Sequence, residues 1–219
     1  MAPVFGYWNV RGLGQYIRLV LEYAGEQYEE KSYKFGPPPE YDRDAWFSVK
    51  PTMDLPLPNL PYYIDGDVKL TQSYAILRHL GRKYDLYGNT EKERMMVDML
   101  MDQGRDMRMG FYMTCVNYTE DAAKKYLANQ QQTLKLLSNI LGKQTWFTGD
   151  KITLADFVMY EEFYVNTLLD SSFLDAFPNL KDFVKRFEDL PAIKKFASSP
   201  RWIKSLINGP SAAKFSSRG

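Results

Sequence analysis

The sequence predicts an α/β segment of about 85 residues followed by a second part that is helical throughout. Three observations carry this. Two strand-like runs bracket a helical run at the N-terminus, a hairpin signal follows near residue 65, and no strand-like alternation returns after Asn89.

Residues 3–8 (PVFGYW) read as a short strand. From Gln15 onward Ile17, Val20, Leu21 and Ala24 recur at helical spacing until Gly25 ends the run. Tyr28 to Tyr33 forms a second strand candidate. The FGPPPEYDR that follows is a proline-rich surface loop, because proline lacks the amide donor that either element would need. Asp42 is placed to cap a short helix carrying Trp46. LPYYID, then GD, then VKL is a hairpin signal, and Ile76, Leu77, Leu80 and Tyr84 mark a helix starting near Ser73. The order is strand, helix, strand, then helix, strand, strand, helix.

Asn89 and Thr90 precede Glu93 in a capping-box arrangement that opens a long methionine-rich helix. Leu134, Leu137, Ile140 and Leu141 lie on another helix, stopped by Gly142, and Leu180, Phe183, Val184 and Phe187 on a later one. Thr153 and Asp156 form a second capping box, with Ile152 and Phe157 spaced as a hydrophobic staple, so the helix through Tyr160 and Phe163 is specified locally. After Ala197 the chain, with Ser198, Ser199, Pro200, Gly209 and Pro210, reads as irregular and is expected to cover a cleft beneath it.

With 219 residues, 45% of them hydrophobic, the chain can bury a substantial core. Lys plus Arg number 28 against 27 for Asp plus Glu, a formal charge of +1 without basic blocks, so binding to nucleic acid or to a membrane surface through bulk charge is not expected. The start, MAPVFGYWNVRGLG, has no charged lead before an apolar stretch, and no run of about 20 apolar residues follows. A soluble, cytoplasmic protein is expected. The single cysteine, Cys115, excludes an internal disulfide framework and, with only His79 beside it, offers no Cys/His metal cluster. Cys115 reads as a small buried residue and His79 as a structural one.

Several short motifs occur together. GYWNVRG at 6–12, NLPY at 59–62 and TQS at 71–73 resemble the glutathione transferases, and GPPPEYDRDAW at 36–46 is similar to the extra loop of their Mu class. The likeness continues through DAFPNLKDFVKRFEDLP at 175–191 and covers nearly the whole chain. The resemblance implies a cytosolic glutathione transferase fold: an α/β N-terminal thioredoxin-like domain (βαβαββα) over residues 1–84, then an all-α domain over 85–219 that forms the electrophile site and much of a dimer interface. The cysteine pair that redox domains of the thioredoxin-like type carry after the first strand is absent, and Tyr7 and Trp8 stand there.

The resemblance also implies roles. Tyr7 is the catalytic candidate, donating to the sulfur of glutathione, and a donor aimed at an anion favours thiolate over thiol. Glutathione, the co-substrate, carries two carboxylates and an amine. Arg43, Trp46 and Lys50 are matched to the glycyl carboxylate, and Trp8 also belongs to the glutathione site. Asn59, Leu60 and a cis Pro61 are matched to the cysteinyl unit. Gln72 and Ser73, at a helix start, are matched to the γ-glutamyl carboxylate, and Asp106 of a second copy to the amine. Val10, Leu13, Met109, Tyr112, Val116 and Asn208 are expected to line the site for apolar electrophiles, with two or three of the seven methionines between residues 95 and 113 in contact with ligand.

Two positions depart from the family pattern. Val116 follows Cys115 where a second tyrosine is common, leaving Tyr112 as its possible substitute, and Leu57 stands where the family inserts an aromatic residue into its neighbour, so a homodimer is expected with an altered contact. A glutathione-dependent isomerase or peroxidase, or a non-catalytic carrier of apolar ligands, stays open on sequence grounds.

Overall fold

In the computed structural model, which describes residues 1–204 and 207–209, a four-stranded sheet with its helices is followed by five further helices. Strand β1 (Val4–Trp8) leads through a 3-10 turn (Gly12–Gly14) into α1 (Gln15–Ala24) and then β2 (Glu29–Tyr33). β1 and β2 are parallel, in register from Val4 opposite Glu29 to Trp8 opposite Tyr33. A parallel pair needs a crossover long enough to reverse the chain, and α1 supplies it. α1 stops at Gly25, whose φ of +69° is the left-handed conformation expected after a helix.

Next come the short α2 (Asp44–Phe47) and a second 3-10 turn (Lys50–Thr52), then the hairpin β3 (Tyr62–Asp65) and β4 (Val68–Thr71), and α3 (Ser73–Lys83). The strand order is β2-β1-β3-β4, with β3 antiparallel to both of its neighbours. α2 begins a residue later than Asp42 allows, so Arg43 holds the cap position and the Asp42 carboxylate accepts from the Asp44 N–H at 3.1 Å instead.

The remaining helices are α4 (Glu91–Val116), α5 (Glu120–Leu141), α6 (Leu154–Leu169), α7 (Pro178–Glu188) and α8 (Pro191–Ala197). Both capping boxes form. Thr90 Oγ1 accepts from the Glu93 N–H at 3.2 Å while the Glu93 carboxylate takes the Asn89 N–H at 2.6 Å. The Asp156 carboxylate takes the N–H groups of Thr153 at 2.7 Å and Phe147 at 2.9 Å, tying the start of α6 to the preceding loop. Residues 198–204 and 207–209 form neither helix nor strand, as expected for an irregular tail, and Pro210 lies outside the described residues. Among the described residues no helix is long and apolar enough to cross a membrane.

One buried apolar cluster runs from Phe5 and Ile17 through Ile76 and Leu77 to Leu100, Val158 and Phe183, so sheet and helices share a core. α6 is its axis. Every residue from Leu154 to Phe163 is buried, and the helix packs against α1, α3, α4 and α7. Two of those residues, Glu161 and Glu162, are adjacent carboxylates with no exposure, and they are paired with Arg11 and Arg108. Buried charge of this kind is tolerated only where it is paired and hydrogen-bonded.

Candidate active site

Tyr7 lies near the end of β1, against the turn that follows it. Gly12 has φ +40°, and a Cβ there would fall 2.6 Å from Tyr7 Oη; a Cβ at Gly14 would overlap the phenol ring. Only glycine lets the turn close over the ring at both places. The Leu13 N–H donates to Tyr7 Oη at 3.0 Å. Burial pushes the Tyr7 phenol above its ordinary value of 10.0, while the Leu13 N–H and the charges of Arg18 and Arg108 pull the other way. The phenol therefore keeps its proton at neutral pH. With one lone pair engaged by Leu13, its O–H is available to donate.

Tyr7 opens on a cavity of about 820 Å³. The structure brings eight of the sequence-predicted residues to its lining: Tyr7, Trp8, Val10, Leu13, Arg43, Met109, Tyr112 and Asn208. Trp8 is stacked on Phe35 with ring centroids 4.5 Å apart, making one aromatic wall. Asn208 and Gly209 also line the cavity, as expected of the tail, and the Gly12 N–H donates to the Ile207 carbonyl at 2.8 Å.

The other predicted residues lie off the lining. Trp46 is buried and packs on Tyr33 and Tyr62 under the sheet edge. Lys50 and Arg43 flank the exposed Phe47 ring, their charged groups 5.6 and 5.7 Å from its centroid. The Asn59 side chain accepts from the Leu60 N–H at 2.9 Å, and the Leu60–Pro61 bond is cis as expected. Gln72 (φ +70°) precedes the buried Ser73 at the start of α3, where no side chain caps the first N–H groups. Asp106 is exposed on α4. Val116 is not among the lining residues: it is the last residue of α4, beyond the turn whose Tyr112 does reach the cavity. Of the seven methionines in 95–113, Met109 alone lines the cavity, while Met95, Met99 and Met113 are exposed and Met101 and Met107 are core.

Sequence reasoning missed Gly12, Phe35, Pro39, Glu40, Tyr41, Arg108 and Gly209, all of which line the cavity. Pro39 to Tyr41 belong to the proline-rich loop, read above only as a surface feature. Arg108 had one usable signal: two adjacent glutamates between the apolar runs of α6 require buried cations somewhere in the chain. Cys115 has the buried surroundings expected of it, whereas the ring of His79 leaves its buried Nε2 without a hydrogen-bond partner among the described residues. The Cys115 thiol is buried and pushed up to about 12, and His79 packs against Tyr63, its centroid 5.8 Å away. Among the described residues no group of three or more acidic, His or Cys side chains is arranged to hold a metal.

Comparison with known proteins accords with this geometry. The sequence profile of the glutathione S-transferase N-terminal domain matches residues 3–82, and that of the C-terminal domain matches residues 105–200. Mouse glutathione S-transferase Mu 6 is 49% identical over 210 residues, covering 94% of this chain and 95% of the relative. Human glutathione S-transferase Mu 2 is 48% identical over 204 residues, covering 93% and 94%. Among solved structures, the Pi-class enzyme of Onchocerca volvulus superposes with a TM-score of 0.79 at 30% identity, covering 90% of this chain and 92% of that one. The glutathione S-transferase Blo t 8 gives 0.82 at 31% identity, covering 90% and 93%. Sharing about half its residues with Mu transferases along nearly their whole length, the chain belongs to the Mu glutathione S-transferases.

Proposed function

We propose that Tyr7 donates its O–H to the sulfur of glutathione, holding it as thiolate while the cavity presents an apolar electrophile to it. As a Mu transferase the chain moves the glutathione sulfur onto an electrophilic carbon, the conjugation step of detoxification. With an aryl chloride the sulfur–carbon bond forms, chloride leaves with the bonding pair, and the thiol proton passes to solvent. The observation that carries the assignment is the Leu13 N–H on Tyr7 Oη, which leaves the phenol proton free for the cavity side.

A free thiol of pKa about 8.5 is a few per cent ionised at pH 7, and lowering it by about two units raises the thiolate roughly twentyfold. Nucleophilicity falls with pKa at a slope of about 0.4 to 0.5, which takes back roughly eightfold. The net gain is about threefold. Most of the acceleration must come from holding the electrophile beside the sulfur, where effective molarity is large.

Residues 1–84 are assigned to glutathione and 85–219 to the electrophile and the dimer contact. Arg43 and Lys50, which share the Phe47 surface, take the glycyl carboxylate, with Trp46 fixing α2 beneath them. Trp8, Asn59, Leu60 and Pro61 take the cysteinyl unit. Gln72 and Ser73, with uncapped N–H groups and the helix dipole, take the γ-glutamyl carboxylate. Asp106 serves the site of a second copy. A homodimer is proposed from the likeness to the Mu transferases. A cytoplasmic location fits the composition.

Conjugation of glutathione to 1-chloro-2,4-dinitrobenzene across pH, on wild type and Tyr7→Phe, tests the assignment. The expected result is an apparent pKa about two units higher in the variant, with a rate deficit near sixfold at pH 6.5 that shrinks as pH rises. Equal profiles would remove Tyr7 from the thiol, and tight glutathione binding without turnover in either protein would favour a carrier.

A further inference from the structure

We propose that Trp202, on the irregular tail, is a positioning residue for the thiolate-forming centre: through Arg11 it holds the glycine turn that aims the Tyr7 hydroxyl. The assignment rests on the transferase reading above and adds the tail to the part of the molecule that ionises glutathione.

The turn needs support from outside. One backbone bond closes it, from the Gln15 N–H to the Arg11 carbonyl at 2.9 Å, and two of the three residues it encloses are glycines. Gly12 and Gly14 let the chain close over the phenol, but glycine also leaves free the torsions that a side chain would restrict. Between them lies the Leu13 N–H that donates to Tyr7 Oη. α1 steadies the approach, where Arg18 donates to the carbonyls of Val10 at 2.9 Å and Trp8 at 3.3 Å. Past Val10 the tail takes over. The Arg11 side chain donates from Nη1 to the Ile203 carbonyl at 2.7 Å, and the Gly12 N–H donates to the Ile207 carbonyl at 2.8 Å. Two successive N–H groups thus face the tail and the phenol, so fixing the first restricts the second.

Arg11 is held as firmly as its task requires. It is fully buried, and all three guanidinium nitrogens are engaged: Nε and Nη2 donate to Glu161 on α6, and Nη1 to Ile203. Its guanidinium carbon lies 4.2 Å from the Tyr164 ring centroid and 4.5 Å from that of Trp202, and the two rings meet edge to face at 5.9 Å. A cation over an aromatic ring is held best by tryptophan and where water is excluded. Trp202 is itself placed from both sides, by Phe196 at 5.2 Å and by its neighbour Arg201, which donates to Glu22 of α1 at 2.9 Å. A leucine at this position would fill much of the space but offer the guanidinium no π face. Unlike Arg11 and Glu161, Trp202 is only partly buried, so replacing it leaves the buried ion pair intact.

The test titrates the ultraviolet thiolate absorbance of bound glutathione in the wild type, Trp202→Leu and Trp202→Phe, with urea denaturation of each protein alongside. The expected result is an apparent pKa raised by about half a unit to one unit in Trp202→Leu, which is about a three- to tenfold loss of thiolate below that pKa. Trp202→Phe, which restores an aromatic face, should recover most of the shift. A merely structural role lowers the urea midpoint and leaves the titration where it was, and that result overturns the proposal. Should Trp202→Leu not fold, Arg11→Lys gives the same reading: it keeps a charge opposite Glu161 but lacks the planar fork that reaches Ile203. Its titration should rise in the same sense, and an unmoved one overturns the proposal equally. A wild type that binds glutathione without any thiolate band removes the Tyr7 reading, and this assignment with it.

Discussion

Tyr7, on β1, and Met109, on α4, line one cavity, and these two walls hold their side chains differently. Tyr7 is 7% exposed, pressed between two glycines of a 3-10 turn and hydrogen-bonded to that turn through Leu13. Met109 and Tyr112, on α4, are 58% and 37% exposed. One wall offers a single geometry, the other a set of long side chains free to adapt. The difference follows the chemistry proposed for each: the sulfur is the same in every turnover, while the electrophile changes. Arg108, on the adaptable wall, is the exception, buried and tied to α1 and α6.

The rigid wall is most sensitive to change at Gly14. An alanine there places its Cβ into the Tyr7 ring, which cannot retreat because it packs near Phe5, with centroids 6.5 Å apart, inside the core. Gly14→Ala should cost about 1–3 kcal/mol of stability through overpacking. It should also lower turnover by about tenfold or more, since a displacement near 1 Å can cost roughly 10²-fold. Urea denaturation and steady-state kinetics on the same preparation measure both. A variant with wild-type turnover would mean that the turn does not set the position of the phenol.

The walls also differ in how far sequence reveals them. Tyr7, Trp8, Val10 and Leu13 are close neighbours in the chain, so a strand followed by a glycine turn brings them to one place by local rules. The same holds for α1, which ends at its glycine, and for α4 and α6, whose capping boxes are written in four residues each. Arg108 depends on partners 54 and 92 positions away, and such pairings follow from tertiary packing alone. The wall from Phe35 to Tyr41 escaped for a related reason: composition marks a rigid loop without saying where it folds. α8 is seven residues long and starts at a proline, too short for periodicity to register. Val116 was misplaced because helical spacing gives a face but not where the cavity stops along it.

Glu162, which fixes the exception on the adaptable wall, gives an effect of intermediate size. Its carboxyl is pushed by burial from an ordinary value of 4.5 up to about 7, so the folded state favours the protonated form. A raised carboxyl stabilises the fold fully below its unfolded value, and that contribution is lost as pH rises through about 7. Between pH 5 and pH 7.5 the wild type should lose stability from this source, on the order of 2 kcal/mol at most. Glu162→Gln should flatten that slope. Urea midpoints at several pH values measure it, and parallel slopes in the two proteins would show that Glu162 stays ionised beside Arg108.

The smallest expected effect lies at Met109. Its side chain is mostly exposed and lines the cavity without holding any other group in place, so Met109→Ala should leave the Tyr7 environment and the thiolate titration unchanged. What it removes is apolar contact with the electrophile, about one methylene's worth, which corresponds to a two- to fivefold drop in kcat/KM for a bulky electrophile and less for a small one. Measuring the thiolate absorbance of bound glutathione across pH alongside kcat/KM for a graded set of alkylating agents separates the two. A size-dependent loss at constant thiolate pKa is what an adaptable wall predicts. A shift in the thiolate titration would mean instead that Met109 supports the tyrosine, and that the two walls work as one.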